Sequence, residues 1–222
     1  MNMKRLISEW KKEKIGQSLV ELTLVLTLLL TLLIGMVEFG NLLNQYIMVV
    51  DAAREGARFG SNDDPFIRTT TPFGLNANFF TNIDQIVEGS FDSSGERAAD
   101  AKGALSPLTL RPDKGDDVVI SFFSISGGVL TRFPTDHPYG WSYYHSKGYT
   151  GRNSLFTVSD LQGRVHQGSL SAPNTGMVLV EIFYSYDQIL HFWHFIGIPD
   201  PINVHTYAIM PLSSAEPTPT PP

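Results

Sequence analysis

The chain has 222 residues, a formal net charge of −6 and no cysteine. This length allows a membrane anchor plus one sizeable external domain. Without cysteine, disulfide bonds and thiolate metal sites are excluded, so any metal would rest on His, Asp or Glu. The acidic balance argues against a nucleic-acid-binding protein, which needs a basic surface to displace counterions from phosphates.

Residues 1–16 are basic and lie directly before a long apolar run. They contain five basic and two acidic side chains, and the positive-inside rule predicts that they stay cytoplasmic. From Leu22 to Val37 no residue is charged. As a helix this segment spans ~24 Å, and its flanks extend it to the ~30 Å of hydrocarbon in a bilayer. We therefore predict a retained membrane-spanning helix, with a cleavable signal peptide as the alternative.

Two polar features interrupt this run. Thr23, Thr27 and Thr31 recur every four residues and share one helix face. Their hydroxyls can bond back to the carbonyl one turn earlier, so in lipid they cost little and can face a partner helix. Glu21 lies at the start of the run, and carboxylates near lipid are usually paired or functional. The alternative is that Glu21 lies at the headgroup boundary and its carboxylate snorkels into the headgroup region.

The helical pattern continues past the apolar run without a proline. Gly60 and Asn62 supply a stop signal, so we predict one helix of about 43 residues from Gln17 to Phe59. Its second half is amphipathic, with opposite charges three residues apart. Small residues on that half would let a sheet approach closely: Ala52, Ala53 and Ala57.

The rest of the chain predicts a domain that contains β-strands. Residues 76–91 and, more weakly, 94–105 have helical spacing, whereas 116–126, 175–188 and 202–210 are strands. Three strands and a long helix predict an α+β fold, in which a small antiparallel sheet packs on the helix and long loops complete the head. We expect a helix over 17–60, a head over 61–214 and an extended Pro/Thr-rich tail over 215–222.

A long connection, residues 127–176, is expected to be displayed at the surface. Its aromatic residues could form a binding platform for a sugar or peptide, because rings give contact area at low entropy cost. The alternative is a loop that packs on its own aromatic side chains. The residues concerned are Tyr139, Trp141, Tyr143 and Tyr144, flanked by His137 and His145.

Histidine and aspartate clusters offer weak metal-site patterns. His191 and His194 would share a helix face, with His205 as a third ligand, but no Glu-x-x-His motif supports them, so we expect structural or solvent-facing histidines. The aspartates do not follow the ligand spacing of a calcium loop, and we interpret them as solvated turns: Asp63, Asp64, Asp113, Asp116 and Asp117. No metal, cofactor or catalytic motif is predicted.

The segment from Gly16 through Glu21 resembles the class III signal peptide of type IV pilin-like proteins. In such proteins a prepilin peptidase cuts after the glycine, and glutamate is the fifth mature residue. The following helix and the "AAREGAR" segment resemble TadE-like proteins, minor pilins or pseudopilins of Tad (Flp) pilus systems, and the last two strands resemble the closing strands of that family. Leu22, where major Flp pilins have tyrosine, favours a minor subunit. The family motif falls on Glu38, Ala53, Arg54, Glu55, Gly56, Ala57 and Arg58.

This resemblance implies a non-enzymatic subunit of pilus assembly, secretion and adhesion. It implies cleavage between Gly16 and Gln17 and an assembly contact at Glu21. The implied partners are other Tad pilins or pseudopilins, the prepilin peptidase, the inner-membrane assembly platform and the lipid bilayer. The implied location is the cell membrane, with a single span, a cytoplasmic N-terminus and an extracytoplasmic head, or an extracellular pilus.

Two alternatives belong to other classes of protein. One is an uncleaved single-span anchor that displays a ligand-binding or hydrolytic domain, with its active groups in the 127–176 loop. The other is an ordinary secreted enzyme, which would require the helix to be absent from the mature protein.

Overall fold

One continuous helix, α1, runs from Met3 to Ser61. In this computed structural model the described residues are 3–67, 74–91, 109–126, 129–162, 176–191 and 197–212. This helix includes the expected one from Gln17 to Phe59 and also continues N-terminally to Met3, because the preceding residues are good helix formers without proline and a single glycine costs only ~1 kcal/mol. At the other end Ser61 Oγ and Asn62 Nδ2 both donate to the carbonyl of Arg58, at 2.8 and 2.9 Å, and satisfy a group that the helix leaves open.

The chain forms two compact units. The first consists of Met1–Leu43 and Asp187–Asp200, and the second of Asn44–Tyr186 and Pro201–Pro222. The second unit contains the sheet and the C-terminal part of α1.

An antiparallel sheet is the centre of the second unit. Its strands are β3 (Asp117–Ser126), β4 (Val129–Phe133), β5 (Trp141–Ser142), β6 (Gly176–Tyr186) and β7 (Ile202–Leu212). The order is β4-β3-β6-β7, and β5 also pairs with β3. The strands expected over 116–126, 175–188 and 202–210 are therefore confirmed, in register with Val119 opposite Glu181 and Glu181 opposite Tyr207. A separate two-stranded ribbon joins β1 (Phe66–Ile67) and β2 (Gly74–Leu75).

Helices cover one face of the sheet. The second helix, α2 (Ala77–Phe91), confirms the expected helix over 76–91, with Phe79, Ile83 and Val87 fully buried. The C-terminal part of α1 packs beside it, so the α+β class and the helix-on-sheet packing are confirmed. The other weakly predicted helix, 94–105, and the tail, 215–222, lie outside the described residues.

Part of the connection between β3 and β6, which the sequence predicts only as a long surface loop, is folded. Residues 129–162 contain β4, β5 and two short helices, α3 (Tyr143–Ser146) and α4 (Val158–Gln162). The second face of the sheet buries a cluster here, because Leu130 and Leu161 pack with Phe123 and Leu179. The strand β4 does not stand out in the sequence because its hydrophobicity does not follow its burial: Val129 is exposed and Arg132 is buried.

Candidate functional site

The apolar part of α1 exposes its side chains on all sides. Leu24 is 68% exposed and Met36 73% exposed. In the described part of the chain, α1 is the one helix that is long and apolar enough to cross a membrane. The three threonines donate to the carbonyls one turn earlier, as expected, over 2.7, 2.8 and 2.9 Å.

Two carboxylates bracket this apolar segment. At its start Gln17 Nε2 donates to Glu21 Oε1 over 3.0 Å in an exposed contact. At its end Glu38 is fully buried, and its two oxygens accept the backbone N–H groups of Ile189 and Leu190 over 2.9 and 2.8 Å. Glu38 is therefore held by a segment distant in sequence, which no pattern in the sequence indicates.

The "AAREGAR" motif divides between two faces of α1. Ala53, Gly56 and Ala57 are buried, whereas Arg54 and Arg58 are exposed. A β-carbon on Gly56 would lie 2.5 Å from Cγ2 of Val87 on α2, so glycine is required by the packing. The exposed face carries the expected ion pairs, Arg54 with Asp51 at 3.4 Å and Arg58 with Glu55 at 2.7 Å. The motif thus combines a structural seam with a charged outer face.

Two aspartates at the start of β3 are buried, so their interpretation as solvated turns is wrong. Asp117 accepts four hydrogen bonds, from Ser142 Oγ and from the backbone N–H groups of Val118, Tyr144 and Arg152, over 2.6 to 3.1 Å. Burial raises the pKa of Asp117, and these donors oppose that rise.

The neighbouring Asp116 is anchored in a similar way. It accepts the backbone N–H of Arg111 over 2.8 Å and that of Ser185 over 2.7 Å. Burial raises its pKa, and hydrogen bonds from the same two residues oppose the rise. Buried polar groups need such partners, and here most of the donors are backbone N–H groups, which no sequence pattern marks. Both aspartates organise the head.

A third buried carboxylate, Asp84 on α2, is less well satisfied. Its Oδ1 atom has no hydrogen-bond partner among the described residues. Burial, followed by the nearby Glu88 and Asp117 charges, raises the pKa of Asp84 to about 8, and Lys147 opposes this. The Lys147 ammonium lies 3.7 Å from the centre of the Tyr143 ring, whose hydroxyl donates to Glu88 over 3.0 Å.

The four aromatic residues suggested as a platform do not share one exposed surface. Tyr139 is 58% exposed, but Tyr143 and Tyr144 are buried, which contradicts an exposed four-ring platform. Trp141 is partly buried, with its ring 5.5 Å from that of Phe80. Tyr143 and Tyr144 are buried because α3 packs against β3. This agrees with the alternative of a loop that packs on its own aromatic side chains.

A cavity of about 480 Å³ lies beside Tyr139. It is open and mixed in character, with ring faces, imidazoles, an amide and a guanidinium. The residues relevant to binding are Tyr139, Tyr149, His137, His145, Arg152 and Asn153. Of these, Tyr149, Arg152 and Asn153 were not singled out from the sequence, because their polar character alone does not distinguish them from other loop residues.

The histidines have carboxylate partners. His205 Nε2 lies 3.1 Å from Glu181 Oε1, and His191 Nδ1 lies 3.0 Å from Asp200 Oδ2. His194 lies outside the described residues. Across the described part of the chain, no group of three or more His, Cys, Asp or Glu side chains is arranged to hold a metal ion.

The comparison with known proteins finds a match in the part of α1 that contains Glu21, Glu38 and the buried residues of the "AAREGAR" motif. Residues 16–58 match the family model of TadE-like proteins. The resemblance to TadE-like proteins is confirmed over this segment. No curated protein and no solved structure matches the chain. The TadE-like segment begins at Gly16, includes the exposed apolar part of α1 and ends at Arg58.

Proposed function

We propose that this chain is a non-enzymatic minor pilin or pseudopilin of a Tad (Flp) pilus. A prepilin peptidase cleaves it between Gly16 and Gln17, and the helix from Gln17 packs with the helices of other pilins or pseudopilins in the membrane and in the pilus. The inner-membrane assembly platform extracts it, and the head is extracytoplasmic. The observation that carries this proposal is the TadE-like match over residues 16–58, which coincides with a helix whose apolar side chains are exposed.

Glu21 has a defined part in the proposed assembly. Cleavage creates a positive amine at Gln17, one helical turn from Glu21, and the amine of a neighbouring subunit can pair with that carboxylate. The chain has 16 basic and 22 acidic side chains, of which the leader contains five basic and two acidic ones. The mature form therefore retains 11 basic and 20 acidic side chains, a net charge of −9. The mature chain therefore repels equally acidic surfaces, and assembly relies on the helix.

The first test is the mass of the membrane-extracted protein after coexpression with a prepilin peptidase. We expect loss of residues 1–16, and a retained leader in Gly16→Leu. Gly40→Leu, a change of the same size elsewhere on α1, should still be cleaved. An intact leader in the unchanged protein would refute processing.

The second test separates assembly from processing. Glu21→Ala should be cleaved normally but should be recovered less with other pilin-like chains after cross-linking in membranes. Asp51→Ala, which removes an exposed carboxylate from the same helix, is the matched control. Equal recovery of Glu21→Ala and the unchanged protein would exclude the pairing of Glu21 with the amine.

The cavity beside Tyr139 favours a second activity, ligand binding by the displayed head, which also agrees with the alternative of an uncleaved anchor. The Gly16→Leu variant distinguishes an uncleaved anchor from a cleaved pilin. An anchor keeps residues 1–16 and the same membrane assembly with either residue, whereas a pilin loses these residues only when Gly16 is present.

A further inference from the structure

The connection between β6 and β7 belongs to the same compact unit as the apolar part of α1. Asp187–Asp200 and Met1–Leu43 form this unit, and Glu38 ties them together through the backbone N–H groups of Ile189 and Leu190. Both carboxylate oxygens are used, and the side chain is fully buried. Two hydrogen bonds from neighbouring N–H groups to one buried side chain fix the position of Leu190 along α1.

That position coincides with the end of the apolar segment. Glu38 follows the uncharged run from Leu22 to Val37 directly. It lies 17 residues beyond Glu21, or about 26 Å along a helix, close to the ~30 Å thickness of bilayer hydrocarbon. Met36, Val37 and Phe39 around it have exposed side chains. A membrane that accommodates the apolar segment therefore has its boundary at Glu38.

Ile189 and Leu190 present apolar side chains at this boundary. They are 59% and 47% exposed, although their backbone is bound to Glu38. Contacts within the connection also stabilise its conformation. Asp200 Oδ1 accepts the backbone N–H of Gln188 over 3.1 Å, and Asp200 Oδ2 lies 3.0 Å from His191 Nδ1. A pinned backbone with outward apolar side chains suits an apolar environment, since burying such surface is favourable by ~25 cal/mol per Å².

We propose that Ile189 and Leu190, at the start of the β6–β7 connection, form a second membrane contact: they enter the lipid at the boundary, and Glu38 is the clamp that holds them there. A carboxylate at this depth is costly unless it is paired or hydrogen-bonded, and the two N–H groups supply that pairing. The inference requires α1 to cross a membrane but not the leader to be cleaved. It can therefore fail while pilin processing holds, and the reverse.

The absence of cysteine makes the test direct, because one introduced cysteine carries one spin label. Full-length Leu190→Cys, Leu29→Cys and Tyr139→Cys are labelled and reconstituted in vesicles of phosphatidylcholine and phosphatidylglycerol. Electron paramagnetic resonance then measures the accessibility of each label to oxygen, which partitions into lipid, and to a water-soluble nickel chelate. Leu29 marks the bilayer interior and Tyr139 marks water.

We expect the oxygen-to-nickel accessibility ratio at Leu190 to lie between the two references and clearly above the Tyr139 value. A ratio equal to that at Tyr139 would overturn the membrane contact. A label shielded from both reagents would also overturn it, because Leu190 would then be covered by protein and not by lipid.

The clamp is tested in the same labelled chains. Glu38→Ala should lower the ratio at Leu190 to the Tyr139 value while the Leu29 value stays constant, which verifies insertion. Asp51→Ala is the matched control and should change neither value. If Glu38→Ala prevents insertion, Glu38→Gln retains one acceptor and should give an intermediate ratio at Leu190. An unchanged ratio in the inserted variant would refute the role of Glu38.

Discussion

Gly56 of α1 lies directly against Val87 of α2, and a β-carbon added to the glycine would stand 2.5 Å from Cγ2 of the valine. The same position faces Val180 of β6 at 3.6 Å. Three elements of the head therefore meet at a residue without a side chain. In the TadE-like segment this glycine is a packing requirement and not a sign of local flexibility.

Gly56→Ala should destabilise the head. Overpacking costs ~1–3 kcal/mol, and the better helix propensity of alanine returns ~1 kcal/mol, which leaves a net loss of up to about 2 kcal/mol. Urea unfolding in detergent measures it. Gly89→Ala on α2 is the control, because no atom of the described residues lies within 4 Å of a β-carbon there. Equal stabilities of the two variants would contradict the close packing.

Asp84 should make the head less stable as the pH rises. The unfolded carboxyl loses its proton near its ordinary pKa, whereas the folded one keeps it up to a pKa of about 8. Below about pH 4 both states carry the proton, and between about pH 4 and 8 only the folded state does, so the free energy of unfolding falls by at most ~1.4 kcal/mol per pH unit.

Asp84→Asn should remove that part of the slope when unfolding is measured between pH 4 and 8. Asp116 and Asp117 contribute in the same direction, because burial raises their pKa values too, so a smaller slope remains. Thr81→Ala, an exposed change on the same helix, is the control and should leave the slope intact. An undiminished slope in Asp84→Asn would show that other groups cause it.

Arg132 joins β4 to the loops around it. Its guanidinium donates to the carbonyl of Pro138 over 3.0 Å, to Ser154 Oγ over 3.2 Å and to the carbonyl of Phe156. Arg132→Lys keeps the charge but cannot reach all three acceptors, so we expect a loss of about 2–4 kcal/mol in unfolding free energy. Arg54→Lys, on an exposed ion pair, should stay within about 0.5 kcal/mol.

Tyr139 and Tyr144 should behave in opposite ways when replaced by alanine. The exposed Tyr139 should cost less than about 0.5 kcal/mol, and the buried Tyr144 about 3 kcal/mol. If the cavity binds sugars, Tyr139→Ala should also reduce retention of the full-length protein on an oligosaccharide array. A loss of stability in Tyr139→Ala as large as that in Tyr144→Ala would assign this ring to the core.

The long periodic elements were predictable because burial imposes their pattern on many residues at once. The strands β3 and β6 are apolar on both faces, since each strand has neighbours on both sides and the sheet is covered on both faces. Those runs are visible in the sequence, as is α2. The two residues of β5 are too few for any period to be detected, and β4 lacks apolar alternation because its Val129 is exposed and its Arg132 is buried.

The contacts of the candidate site were less predictable, for a different reason. Glu38 is recognised by backbone N–H groups 151 and 152 residues away, and every residue except proline has such a group. Asp117 likewise accepts mainly from backbone donors, which leave no mark in the sequence. Its local sequence, rich in Asp and Gly, therefore suggested an exposed turn. The TadE-like resemblance gave Glu38 significance in advance, but it did not include Asp117.

The threonine stripe on α1 has a consequence for the chemistry of any neighbouring helix. Each hydroxyl of Thr23, Thr27 and Thr31 already donates its proton to its own backbone, so only oxygen lone pairs face outward. Two copies of this chain that met along the stripe would present acceptor to acceptor and could gain only from shape. A different subunit that brought a hydroxyl or amide proton to the stripe would be preferred, which biases contacts on this face towards unlike partners.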